Sequence, residues 1–200
     1  KKVAEILHKQ GTKAILQIHH GGRLALPDAN NNDIIAPSYD KKTKAREITP
    51  EEIHNLIKAF GNAADLAIQA GFDGVEIHGA NRYLIQQFYS GITNRRTDEW
   101  GGSIEKRMKF PLAVIDAVDE ARTKHNVDKF IIGYRFSPEE PGENGLTMIE
   151  TFALIDELVK KPLQYLHVSL LDFHINAYRG GDTGKSAIEQ IHKHIDGKLP

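Results

Sequence analysis

The sequence predicts an α/β fold built from parallel βαβ units. Four short apolar runs, at residues 13–19, 72–78, 129–137 and 163–170, are each followed by a helical pattern. Strands that alternate with helices along a chain indicate right-handed parallel βαβ units. The four runs are also too apolar for a sheet with one solvated face, which is typical of parallel sheets.

Two parallel architectures fit this order, an open doubly wound sheet and a (β/α)8 barrel. No Gly-x-Gly-x-x-Gly turn follows any of the runs, which weakens the dinucleotide-binding form of the open sheet. Long connections at residues 20–48 and 79–102 follow two strand ends on the same face. Barrel enzymes build their active sites from such loops, so the barrel is favoured, and four units would form half of it.

Each strand is bounded by a helix with its own sequence signal. Val3, Ile6 and Leu7 predict a helix before the first strand. Apolar residues at helical spacing predict the next over residues 49–70, and Thr49 with Glu52 forms a capping box at its start.

The later helices are predicted in the same way. A helix opening at Ser103 contains Pro111, whose missing N–H costs about 3 kcal/mol in a helix interior and predicts a kink or a break. Thr147 with Glu150 forms a second capping box after the third strand. The last helix is predicted near residues 185–196, from three isoleucines on one face.

Composition excludes several classes of partner. The 200 residues include 26 basic and 27 acidic ones, with a net charge of -1 and no basic stripe, so nucleic acid is not an expected partner. No apolar run approaches the roughly 18 residues of a membrane span. The absence of cysteine removes thiolate metal sites and fits a reducing cytoplasm, which is the expected location. The expected partner is a small molecule, and the sequence leaves a homo-oligomer open.

The ends of the sequence suggest a segment of a longer protein. The sequence begins at Lys1 within a predicted helix, and it ends at Pro200, where a new element is expected.

Strand alternation places polar side chains together at the strand ends. Alternate residues of a strand face opposite sides, so Glu76 and His78 are expected to face the barrel axis with Gln17 and Arg135. The fourth strand leaves two alternatives open. Either His167 and the residues on its side of the strand face inward, or the apolar residues that alternate with them do. A structural alternative is that Arg135 simply pairs with Glu76.

Other polar residues have plain interpretations. His19 and His20 could bind zinc together, but adjacent strand residues diverge and no third ligand has suitable spacing. Leu84, Ile85 and Phe88 are interpreted as a helix face that packs a loop. The charged run at residues 94–98 could be only a solvated turn. The residues by themselves therefore indicate a barrel enzyme with a polar site that binds an anion or a carbonyl group.

The stretch GFDGVEIHGANRYLIQQFYSGITNRRTDEWGGSIEKR, residues 71–107, resembles the Old Yellow Enzyme family of flavin-dependent ene reductases. LQIHHGGR (16–23) and GYRFSP (133–138) resemble the family's third and fifth barrel strands. The resemblance implies a (β/α)8 barrel that carries FMN, of which this chain covers about strands 3–6. Residues 1–200 would then be a partial FMN-binding barrel domain, without strands 1–2 and 7–8.

The resemblance also implies roles for individual residues. His78 and Asn81 match the pair that binds the carbonyl oxygen of an α,β-unsaturated substrate, and Tyr83 matches the proton donor. Gln17 and Arg135 match side chains that contact the flavin. The implied reaction moves a hydride from NADH or NADPH through FMN to an activated C=C bond, and no metal is expected.

The chain departs from the family pattern in the middle of this motif. Arg82 stands where the family usually has glycine, and a bulky cation beside the proposed acid could either alter the loop geometry or select anionic substrates. Two other functions compete with the ene reductase: a metal-assisted barrel lyase or hydrolase that uses His78, and an inactive half-barrel fragment.

Overall fold

The computed structural model describes residues 1–26 and 33–199 of the chain. Its elements, in chain order, are α1 (Lys2–His8), β1 (Ile15–Ile18), a short 3₁₀ turn (Gly22–Leu24), β2 (Ile35–Ala36), β3 (Arg46–Glu47), α2 (Pro50–Gln69), β4 (Gly74–Gly79), α3 (Leu84–Tyr89), α4 (Ile104–Lys124), β5 (Ile131–Phe136), α5 (Met148–Leu158), β6 (Tyr165–Val168) and α6 (Ala187–Ile195). The four predicted strands are present as β1, β4, β5 and β6. The small β2–β3 pair within the first long connection has no sequence signal that we recognised.

The main sheet is parallel and follows the chain. Its order is β1-β4-β5-β6, so each strand pairs with the next one in sequence. An open doubly wound sheet reverses its order at a switch point, and this sheet does not. The order therefore supports an arc of a barrel.

The two faces of the sheet carry the side chains that alternation predicts. Val75, Ile77 and Ile132 lie in the apolar core with residues of the helices. On the other face, a Cβ atom at Gly133 would lie 2.1 Å from a carbon of the Tyr165 ring. Glycine thus makes room for Tyr165 inside the arc, and the odd-numbered residues of β6 face inward, which confirms the first of the two alternatives for that strand.

The helix starts are confirmed; of the kink or break predicted at Pro111, the break is wrong. Both capping boxes are present, at Thr49 with Glu52 and at Thr147 with Glu150. Helix α4 runs through Pro111 without interruption. It packs along both α2 and α3, and this burial outweighs the single backbone hydrogen bond that proline removes.

The Thr49 cap gives a testable stability prediction. Thr49 accepts a hydrogen bond from the Glu52 N–H at 3.3 Å, so Thr49→Ala is expected to lower the free energy of unfolding by about 1 kcal/mol. Urea unfolding followed by circular dichroism measures the loss, and Thr49→Ser should restore most of it. An equal loss in both variants would assign the effect to the threonine methyl group.

The charged run at residues 94–98 anchors the long connections, so its interpretation as a solvated turn is wrong. Arg96 is only 7% exposed and donates to the carbonyl oxygens of Pro37 (2.9 Å) and Ile48 (2.7 Å). Asn94 donates to the carbonyl oxygens of Phe88 (2.6 Å) and Trp100 (2.7 Å). The Arg96 bonds tie the connection after β4 to the connection after β1, and the Asn94 bonds hold the connection after β4 together. The interpretation of α3 as a buried loop-packing helix is confirmed.

Within the described residues, no helix is both long enough and apolar enough to cross a membrane.

Candidate active site

The register of the sheet brings the predicted polar residues to one edge of the arc. Gln17 of β1 pairs with Glu76 of β4, while His78 pairs with Arg135 of β5 and Arg135 with His167 of β6. All five lie near the carboxyl ends of the strands, where barrel enzymes place their chemistry. The predicted ring of polar groups is therefore present.

Glu76 is the centre of a hydrogen-bonded network inside the arc. It is 7% exposed and accepts from Gln17 Nε2 at 2.5 Å and from the Tyr165 hydroxyl at 3.2 Å, with His167 Nδ1 at 2.8 Å. Burial alone would raise the pKa of Glu76, but the bonds from His167 and Gln17 lower it below its usual value. Because Glu76 accepts from the amide N–H of Gln17, the amide oxygen of Gln17 remains an acceptor for a ligand.

Arg135 does not pair with Glu76, so that structural alternative is wrong. The Arg135 guanidinium donates to Ser169 Oγ at 3.0 Å, and Ser169 Oγ donates to Asn81 Oδ1 at 2.8 Å. The Asn81 backbone N–H donates to Ser137 Oγ at 3.0 Å. The two serines thus connect the turn after β4 to β5 and β6, and sequence reasoning gave neither of them a functional role.

Tyr83 lies against His78 in a cluster of three rings. The ring centroids of His78 and Tyr83 are 5.3 Å apart, and His19 lies 5.1 Å from Tyr83 and 5.8 Å from His78. The cluster therefore joins two predicted catalytic residues and adds His19, which the sequence suggested only as half of a weak zinc pair. His20 instead accepts from the Gly22 N–H, and no group of three metal-ligating side chains occurs among the residues that the structure describes.

Two buried polar atoms at this edge lack a partner among residues 1–26 and 33–199. They are His78 Nδ1 and Arg135 Nε, on neighbouring strands. A buried polar atom left unsatisfied costs about 1–3 kcal/mol. Both atoms therefore fit a bound group that brings hydrogen-bonding atoms to the strand ends, and the arginine requires an acceptor.

His78 is neutral at neutral pH. Burial, followed by the nearby positive charge of Arg135, lowers the pKa of His78 to about 4. A neutral imidazole keeps one N–H donor and one acceptor nitrogen, so His78 can polarise a carbonyl group without carrying a charge.

We expect the His78 ring to titrate at about pH 4, compared with an ordinary histidine value of 6.5. Protons then bind more tightly to the unfolded chain, so this contribution to stability is complete above pH 6.5 and is lost as the pH falls toward 4. NMR titration of the histidine rings measures the midpoint, and His78→Asn identifies the signal by removing it. A midpoint at or above 6.5 would contradict the burial argument.

A cavity of about 850 Å³ adjoins the strand ends between the loops after β4, β5 and β6. Its polar wall includes Asn81, Arg82, Arg135, Ser137 and Ser169. Its apolar wall is formed by residues that include Leu170, Ile175 and Tyr178. Concave sites that combine apolar walls with a few polar groups are typical of small-molecule binding.

The parallel arc with polar side chains at its carboxyl ends has the architecture of barrel enzymes, which place their chemistry at that edge. The chain belongs to the NADH:flavin oxidoreductase / NADH oxidase family, whose model matches residues 1–197. This membership confirms the resemblance found in the sequence.

Named relatives and solved structures agree with this family. The chain is 51% identical to "Probable NADH-dependent flavin oxidoreductase YqiG" of Bacillus subtilis (strain 168), over 100% of the chain and 55% of that protein. It is 47% identical to NADH:acrylate oxidoreductase of Vibrio harveyi, over 84% of the chain but 17% of that protein. Morphinone reductase superposes with a TM-score of 0.77 at 30% identity, covering 98% of this chain and 56% of the other.

These comparisons confirm the (β/α)8 barrel fold and show that this chain matches about half of such a protein. The chain spans about half the length of the relatives that it matches from end to end. Four consecutive β/α units are what half of an eight-unit barrel contains.

Proposed function

We propose that the protein is an FMN-dependent oxidoreductase that takes a hydride from NADH or NADPH. The acceptor is the activated C=C bond of an α,β-unsaturated carbonyl compound. Residues 1–200 form part of the FMN-binding barrel domain, with strands 1–2 and 7–8 outside them. The observation that carries the proposal is the pair of unsatisfied atoms, His78 Nδ1 and Arg135 Nε, at adjacent strand ends.

The residues facing the strand ends suit a flavin ring, which has hydrogen-bond donors and acceptors on one edge. The Gln17 amide, oriented by Glu76, offers an acceptor oxygen, and Arg135 offers donors and a positive charge. When bound, FMN supplies the hydride for the reaction. The protein residues bind and orient the reactants and handle the proton.

His78 and Asn81 would bind the carbonyl oxygen of the substrate. Negative charge grows on that oxygen as the β-carbon accepts a hydride, and two donors fixed in advance stabilise it as an oxyanion hole does. The Asn81 oxygen already accepts from Ser169, which leaves its amide N–H groups to donate to a ligand. Tyr83, which lies against the His78 ring, would donate the proton to the α-carbon.

The names of some relatives do not extend to this chain. NADH:acrylate and NADH:fumarate oxidoreductases match over only 17% and 19% of their own lengths. The acrylate and fumarate in these names are therefore substrates of much longer proteins and are not assigned to this chain. A structure of morphinone reductase contains tetrahydroNAD, which supports a nicotinamide as the hydride donor. A cytoplasmic location, the lack of a nucleic-acid partner and a homo-oligomer stay predictions of the sequence.

The family match over residues 1–197 favours the flavin enzyme over the metal-assisted lyase or hydrolase. An inactive half-barrel would bind no flavin, whereas the proposed enzyme binds FMN. Denaturing the purified, flavin-saturated full-length protein and analysing the released cofactor separates these functions. We expect non-covalent FMN; FAD, a covalent flavin or no flavin would contradict the proposal.

A further inference from the structure

Arg82 occupies a backbone conformation that normally favours glycine. Its φ is 62°, and the preceding Asn81 is also left-handed at 55°. A side chain strains the backbone in this region, and glycine avoids the strain. Strained non-glycine residues persist where their surroundings fix the backbone, and such residues cluster at functional sites.

Two buried glutamines fix this turn. The Arg82 N–H donates to Gln86 Oε1 at 2.8 Å, and the Arg82 carbonyl oxygen accepts from Gln87 Nε2 at 2.6 Å. Gln86 and Gln87 are 2% and 0% exposed. Because the backbone is held at both polar atoms, the exposed Arg82 side chain is presented at the wall of the 850 Å³ cavity.

The other charged groups on this wall already have partners within the fold. Glu139 accepts from the N–H groups of Tyr178 and Arg179, and Glu140 accepts from Gln86 Nε2. Arg179 donates to the carbonyl oxygens of Glu140 and Gly145.

Arg135 donates to Ser169 and is the proposed flavin contact. Within residues 1–26 and 33–199, the hydrogen bonds of Arg82 are made by its backbone N–H and carbonyl oxygen, and its guanidinium makes none. Arg82 is therefore the cation on the cavity wall that is left to bind a ligand.

We propose that Arg82 binds a carboxylate of the substrate, so that the enzyme prefers α,β-unsaturated carbonyl compounds carrying a second, anionic group. The inference rests on the proposed function, because Asn81 holds the reacting carbonyl and Arg82 follows it in the chain. Arginine donors match a carboxylate with two parallel hydrogen bonds, which makes this residue suited to the role.

The test compares an acid with its neutral ester in the full-length flavoprotein. The ligands are 3-oxocyclohex-1-ene-1-carboxylate and its methyl ester. The ratio of kcat/KM for acid over ester should fall at least about tenfold in Arg82→Gly, the scale of a charge-assisted hydrogen bond, mainly through KM. Arg82→Lys should keep an intermediate ratio. Calorimetric Kd values for the acid and the ester, which need no turnover, should show the same change.

Lys44→Gly is a matched control. Lys44 is also exposed with a φ of 62°, and it does not line the cavity, so this change relieves the same strain and removes the same charge elsewhere. It should leave the acid-to-ester ratio unchanged. Because glycine suits the turn, Arg82→Gly should unfold at the same temperature as the parent or a higher one.

The outcomes separate this inference from the proposed function. An unchanged acid-to-ester ratio in Arg82→Gly would overturn the carboxylate site while enone reduction stands. A lower unfolding temperature with equal losses for acid and ester would make Arg82 a structural residue and would also overturn it. If the parent reduces neither compound, the proposed reaction fails, and the calorimetric ratio alone then decides on Arg82.

Discussion

His78→Ala is expected to raise the barrier for enone reduction by about 2–4 kcal/mol, the usual effect of removing one oxyanion donor. His78 is buried, neutral and adjacent to Arg135 in the register, and its Nδ1 has no partner among the described residues. An alanine would leave the developing negative charge to Asn81 alone. Steady-state rates with cyclohexenone, measured at saturating NADH or NADPH, give the loss in kcat/KM.

A second variant distinguishes the effect of losing the hydrogen-bond donor from the effect of losing the imidazole ring on the rate. His78→Asn keeps an N–H donor at the strand end, so it should recover part of the rate, and thermal unfolding should show both variants folded. Binding of a phenol, seen as a long-wavelength charge-transfer band, should weaken in His78→Ala. Parent-like rates together with parent-like phenol binding would show that His78 does not bind the substrate oxygen.

Local signals in the sequence were sufficient for much of the fold. The capping boxes at Thr49 and Thr147 mark helix starts correctly because their partners lie three residues away. Strand alternation placed His78 and Arg135 on one face because the backbone pleat fixes side-chain direction. The (β/α)8 architecture followed from the order of strands and helices and from two long loops on one side.

Features that depend on distant partners could not be predicted in this way. Arg96 appears as part of a charged run, yet it binds carbonyl oxygens 48 and 59 residues away. Ser169 links Arg135 to Asn81 across three elements, and no local pattern marks it. The α4 helix tolerates Pro111 because of the neighbours against which it packs, which a propensity scale does not include.

Tyr83→Phe is expected to slow substrate reduction by about 10²–10⁴-fold, the range for removal of one general acid. The substitution keeps the ring against His78, whose centroid lies 5.3 Å away, and removes only the hydroxyl. Transfer of a hydride from NADH or NADPH to the bound flavin would require no proton from Tyr83. The first half-reaction should therefore keep its rate, while the second, with an enone, slows.

The competing role for Tyr83 is simple packing of the loop against Phe88, and the structure gives Phe88 a different ring partner. Phe88 stacks on Phe110 with centroids 4.1 Å apart, while Tyr83 contacts His19 and His78. A nitroalkene forms a more stable anion than an enone, so its hydride uptake should survive Tyr83→Phe and unprotonated nitronate should accumulate. Stopped-flow traces of both half-reactions, with enone and nitroalkene, test this pattern. Equal slowing of both halves, or no slowing of either, would remove Tyr83 from proton transfer, because loss of a proton donor should slow the enone step and spare both flavin reduction and hydride uptake by the nitroalkene.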